Sequence, residues 1–154
     1  MFRTTAKPIT EEEILEIEYN LNIKFPLDFK NHYLNFNGGI PDNPYFYMEE
    51  YGVFLWINSF IPLKYENEKT KNWTIEKSYL NFVSKNTIPK NFIPFAADYG
   101  GNQVCIDIDT KEIYVVYMDL GNPMDNPDAI RKIAADFQNF IDNLEEEGEE
   151  EEDV

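Results

Sequence analysis

Two side chains in this 154-residue chain belong to the types that nucleophilic and general acid–base catalysis use most, a single cysteine and a single histidine. Cys105 lies between Val104 and Ile106 in an apolar run that reads as a strand, where a thiol acts as a small buried hydrophobe. His32, between Asn31 and Tyr33 in a helical stretch, reads as a surface or half-buried residue rather than a base. None of the patterns GxSxG, HExxH or GxxxxGKS/T occurs, so no enzymatic activity and no cofactor are expected. One cysteine and one histidine do not make a zinc site. Asp107 and Asp109 share one side of a strand end, a spacing suited to a divalent ion; the competing account gives Asp109 to a hairpin turn and leaves Asp107 solvated. Asp119, Asp125 and Asp128 lack the glycine and terminal glutamate spacing of a calcium loop, and Asp128 reads as the cap of the last helix. No metal is expected. Gly100 and Gly101 run into a strand with no lysine or following helix, which makes them a tight strand connection rather than a phosphate cradle.

What remains is binding, and charge selects the partner. Thirteen Lys and Arg against 29 Asp and Glu leave a net charge of −16, repelled by nucleic-acid phosphates and anionic membranes and attracted to a basic protein. Eight carboxylates crowd Glu145 to Asp153, broken by Gly148, so residues 145–154 read as a disordered acidic tail behind a single domain at 1–144. The body keeps a charge of −8, which a folded surface can present with a shape. Glu49, Glu50 and Tyr51 in an aromatic-flanked turn, and Asp98 with Tyr99 in a glycine turn, pair negative charge with a rigid ring and are the candidate partner-binding residues. The rings around them, Tyr45, Phe46, Tyr47 and Trp56, divide between core and interface anchors; a sugar platform would need two coplanar exposed rings. The longest apolar stretch, Val53 to Ile57, is far short of the ~20 residues of a membrane span. Met1 to Pro8 carries no apolar run after its basic residues, and a cytoplasmic protein is expected.

These residues must be held by a mixed set of elements. Thr10 and Glu13 form a capping box ahead of a helix marked by Ile14, Ile17 and Leu21. Pro26 opens a second helix with Phe29, Tyr33, Leu34 and Phe36 inward, and Asn37-Gly38-Gly39 is expected to close it through a left-handed glycine cap. Strands are expected at 45–48, 51–57 and 60–65, and a third helix after Thr74 carries Ile75, Tyr79, Phe82 and Val83. Three strands at 92–96, 103–108 and 113–118 form an antiparallel meander turning at 99–101 and 109–112. Ile130, Ile133, Ala134, Phe137, Phe140, Ile141 and Leu144 fall at helical spacing and predict one closing helix. The order gives an α+β domain, an antiparallel-rich central sheet with flanking helices.

Set end to end, these segments resemble the SMI1/KNR4 domain of the SUKH superfamily. The resemblance rests on the acidic capped helix, Ile23-Lys24-Phe25-Pro26-Leu27-Asp28-Phe29-Lys30, Phe36-Asn37-Gly38-Gly39-Ile40-Pro41, the run Ile93 to Asp107 containing Asp98-Tyr99-Gly100-Gly101-Asn102, and Ala135 to Leu144. It implies that Pro26, Gly38, Gly39, Gly100 and Gly101 are structural motif residues, with no catalytic residues and no metal. It also implies a non-catalytic immunity protein that binds and neutralises a cognate polymorphic toxin, a basic nuclease-type domain, by occluding its active face. The alternative is a regulatory protein-interaction scaffold without a toxin partner, since the superfamily also includes cell-wall-signalling regulators.

Overall fold

The computed structural model describes residues 1–68 and 70–146. Helix α1 (Glu11–Leu21) starts at the expected capping box: Glu13 N–H donates to Thr10 Oγ1 at 3.1 Å and Thr10 N–H to Glu13 Oε1 at 3.0 Å. Helix α2 (Leu27–Asn35) follows Pro26 and stacks Phe25, Phe29 and Tyr33 into a ladder with centroid spacings of 4.9 and 4.6 Å. Its end differs from the expected glycine cap. Phe36 leaves the helix in extended conformation, and Gly38 (φ +75°) and Gly39 (φ +105°) serve a close crossing instead. A Cβ on Gly38 would stand 2.8 Å from the Pro62 nitrogen, and one on Gly39 2.5 Å from the Arg3 carbonyl oxygen. The chain there is squeezed between β1 (Phe2–Arg3), which pairs with β2 (Ile40–Pro41), and the segment after Phe60. Asn37 locks the crossing: its amide donates to the carbonyls of Lys7 and Leu63 at 2.9 Å each and accepts from Leu63 N–H at 2.7 Å.

The sheet is built from β3 (Tyr45–Met48), β4 (Val53–Phe60), β5 (Phe92–Asp98), β6 (Gln103–Asp107), β7 (Ile113–Val116), β8 (Ile130–Ala134) and β9 (Leu144–Glu145). All pairings are antiparallel in the order β8-β7-β6-β5-β4-β3-β9, and the sheet is curled. Helix α3 (Ile75–Ser84) begins at Thr74, whose hydroxyl accepts from Lys77 N–H at 3.3 Å, and helix α4 (Phe137–Asp142) lies between β8 and β9. The inner face of the sheet packs on α1, α2 and α4 through Phe29, Phe60, Phe95, Phe137 and Phe140, all fully buried. Alternation sends Phe92, Cys105 and Val116 to the outer face, where Phe82 and Val83 of α3 pack against them.

Two expectations fail, one because sheet hydrogen bonding overrides local pattern and the other because a proline interrupts a strand. The single closing helix is a strand, a short helix and a strand. Ile130–Ala134 pairs with β7, with a register shift at Ile113/Tyr114 that breaks simple alternation and mimics helical spacing. Asp136, not Asp128, caps α4, accepting from Asn139 N–H at 2.8 Å; Asp128 lies in a 3-10 turn at Pro127–Ala129. The strand expected at 60–65 is absent: β4 runs through Phe60, Ile61 N–H still donates to the Phe95 carbonyl at 2.7 Å, and Pro62, with no N–H, ends the ladder there. Strand β9 extends to Glu145, one residue past the 144 boundary, and residues 147–154 of the acidic tail lie outside the described residues.

Candidate functional site

In an antiparallel sheet β3 and β5 run the same way, so the turns that follow them emerge at one end. The β3–β4 turn is held by Tyr51 and Gly52 N–H groups donating to the Met48 carbonyl at 3.0 and 2.9 Å, which leaves Glu49 and Glu50 exposed at its tip. In the β5–β6 turn Asp98 Oδ1 accepts from Gly100 and Asn102 N–H at 2.9 and 2.8 Å, and Oδ2 accepts from the Asn102 amide at 3.0 Å. Asp98 therefore holds its own turn. Gly101, at φ +85°, takes the left-handed position. Tyr99 N–H donates to the Trp56 carbonyl at 3.1 Å, and the two rings meet at 4.2 Å between centroids.

Tyr51 has an internal partner that its sequence neighbours do not reveal. The Arg131 guanidinium lies between the Tyr51 ring, 4.7 Å from its centroid, and the Tyr117 ring at 4.8 Å, while Arg131 Nε donates to the Asp128 carbonyl at 3.3 Å. Arg131 belongs to β8 at one extreme of the strand order and Tyr51 to the turn beside β3 near the other, so this clasp spans the curl. Between β8 and the β3–β4 turn lies a groove of about 210 Å³ whose walls include Glu49, Glu50, Tyr51, Lys132 and Asn139. Lys132 Nζ pairs with Glu112 Oε2 at 2.8 Å. The five candidate residues thus share one end of the sheet, in two roles: Glu49, Glu50 and Tyr99 face outward, Asp98 braces its turn, and Tyr51 holds Arg131.

The residues with catalytic side chains have no reactive setting. Cys105 is fully buried, and burial pushes its thiol far above the usual range. His32 is ringed by Phe2, Tyr33, Phe36, Phe60 and Phe137, its Nε2 has no partner, and burial pushes its pKa down to about 4. Asp107 is buried rather than solvated: its Oδ1 accepts from Asp109 and Thr110 N–H at 2.9 and 3.3 Å and shapes the β6–β7 turn. Among the described residues no three His, Cys, Asp or Glu side chains converge as metal ligands, and no helix is long and apolar enough to cross a membrane.

A curled antiparallel sheet with helices along its inner face, and two turns at one end of it bearing carboxylates and rings, makes an α+β single domain. The chain belongs to the SMI1/KNR4 family (SUKH-1), whose family model matches residues 8–143. No curated protein matches the chain in sequence.

Proposed function

We propose that this chain is a cytoplasmic, non-catalytic immunity protein that binds a cognate toxin, a basic nuclease-type domain, and neutralises it by covering its active face. The observation that carries the reading is the exposed Glu49-Glu50 tip at the same end of the sheet as the exposed Tyr99, one acidic and aromatic end on a domain of this family with a net charge of −16. A nuclease gathers lysine and arginine to hold phosphates, and an acidic surface of matching shape competes for the same groups while accelerating encounter above the neutral ~10⁵–10⁶ M⁻¹s⁻¹. Glu49 and Glu50 make that contact, Tyr99 and Tyr51 supply rigid area beside it, and Asp98 keeps the second turn in place.

The test is protection of growing cells. Co-expression should rescue growth from the cognate toxin domain, and Glu49→Lys with Glu50→Lys should abolish the rescue without lowering the amount of folded protein. Full rescue by the double reversal would remove these residues from the contact, and no rescue by the parent chain would contradict the immunity role.

A further inference from the structure

The outer face of the sheet is covered over β5–β7 and bare over β3–β4. Tyr47 and Phe54 are opposed across these strands at 5.0 Å, and Tyr45 and Trp56 at 5.7 Å with planes 17° apart; Tyr99 extends the row beyond Trp56. Trp56 keeps 48% of its surface exposed and Tyr47 38%, where the same face under α3 holds Cys105 and Val116 at 0%. At the margin of this row β9 pairs only with Tyr45 and Phe46, so the β3 edge at Tyr47 opens on a notch of about 280 Å³. Its walls include the Tyr47 ring, the carboxylates of Glu49 and Glu145, and the amides of Asn139 and Asn143. Strands β3, β4, β5 and β6 contain no lysine or arginine.

Aromatic faces carry negative quadrupole potential, and carboxylates beside them add to it, so the surface suits cations. It suits arginine above lysine, because a planar guanidinium stacks on a ring while its fork pairs with a carboxylate. The molecule already holds cations on its rings elsewhere, Arg131 between Tyr51 and Tyr117, and Lys7 and Lys64 against Tyr65. A second copy of this chain would bring one acidic rim against another, and an anionic membrane would be repelled. The Trp56 and Tyr99 rings, tilted by 38° and packed on each other, do not form the flat platform a sugar needs.

We infer that the bare half of the outer face docks arginine side chains of a basic protein partner, one guanidinium entering the notch against Tyr47, Glu49 and Glu145 and others stacking on Trp56. The inference rests on the binding reading above and names the chemistry of the partner at that end of the sheet.

The test uses nona-arginine and nona-lysine peptides of equal charge, titrated into the full chain and followed by the two tryptophan indole N–H resonances. Nona-arginine should bind about 3- to 10-fold more tightly and shift Trp56 while leaving Trp73 in place. Tyr47→Ala and Trp56→Ala should each erase the preference and keep the salt-sensitive attraction to both peptides, and Tyr47→Phe should retain the preference. Equal affinities, or binding without a Trp56 shift, would overturn the inference. So would a Trp56 shift with a neutral hexasaccharide, or a concentration-dependent dimer that protects the Trp56 indole. A preserved arginine preference in a protein that protects against no toxin would sink the immunity reading alone; protection without the preference would sink this inference alone.

Discussion

The two halves of the outer sheet face start from similar material and end in different states. Over β5–β7, Phe92 stacks on Tyr114 at 4.8 Å, and Phe92, Cys105 and Val116 vanish beneath α3. Over β3–β4, Tyr47 packs sideways on Phe54 and Trp56 on Tyr45, and Tyr47 and Trp56 stay open to solvent. Pleat alternation puts a ring on the outer face in both; whether a helix crosses above decides between core and contact surface. On the proposed reading the covered half contributes to stability and the bare half to recognition, a division that single substitutions separate.

The largest effect belongs to the covered half. Phe92→Ala should lower stability by about 3–5 kcal/mol through the lost ring and the cavity beneath α3. Trp56→Ala, on the bare half, should cost less than about 1 kcal/mol because half its surface is already in water. Chemical denaturation of the two variants measures the contrast, and equal losses would erase it.

Two glycines extend the same division between packed and open chain. Gly39→Val should cost about 3 kcal/mol or more, since its left-handed backbone is compounded by the Arg3 carbonyl 2.5 Å from any Cβ. Gly101→Val, with φ +85° but nothing within 4 Å, should cost only about 1–2 kcal/mol from backbone strain. Thermal melts that rank the pair the other way would contradict the crossing at residues 38–39.

Acid should act first on the inner core, through His32. His32 has a folded pKa near 4 against an ordinary 6.5, so between those values the unfolded chain binds the extra proton. Its contribution is intact above pH 6.5 and falls as pH drops toward 4, by at most about 3 kcal/mol. Glu13, held near 2 by hydrogen bonds from Lys64, Tyr65 and the Thr10 backbone, adds stability that is lost only below its ordinary 4.5. His32→Gln should flatten the stability slope between pH 6.5 and 4, read by denaturant melts across that range, and leave toxin protection intact.

Much of this was legible in residue order. The Thr10–Glu13 capping box, the meander with turns at 99–101 and 109–112, and a division of the rings Tyr45, Phe46, Tyr47 and Trp56 between core and surface are local signals, and the structure keeps them. What could not be read depends on partners far along the chain. Ile130 to Ala134 has helical spacing in isolation and becomes a strand because β7 offers an open edge. Tyr51 reads as a free interface ring until Arg131, eighty positions later, is seen against it. Asn37 looks like a turn residue, yet it ties Lys7 to Leu63. Of the candidate site, the acidic tips were visible and the clasp and the notch beside β9 were not, since both exist only once the sheet has curled.

The smallest effect is expected from the acidic end of the chain. Strand β9 includes Glu145, so the informative truncation stops after Glu146 and leaves the pairing with Tyr45 intact. Removal of residues 147–154 should change affinity for a basic partner by less than about 3-fold at physiological salt and slow the encounter, seen by stopped flow at low ionic strength.

The role of the bare face depends on recognition of a basic partner at the Glu49-Glu50 end of the sheet, and isothermal titration against the cognate toxin domain tests it. Glu49→Lys with Glu50→Lys should weaken binding by more than about 2 kcal/mol, roughly 30-fold, with a parental melt, while the chain truncated after Glu146 binds nearly as the parent does. Loss of binding on truncation, with the double reversal binding like the parent, would contradict that assignment and place recognition in the tail.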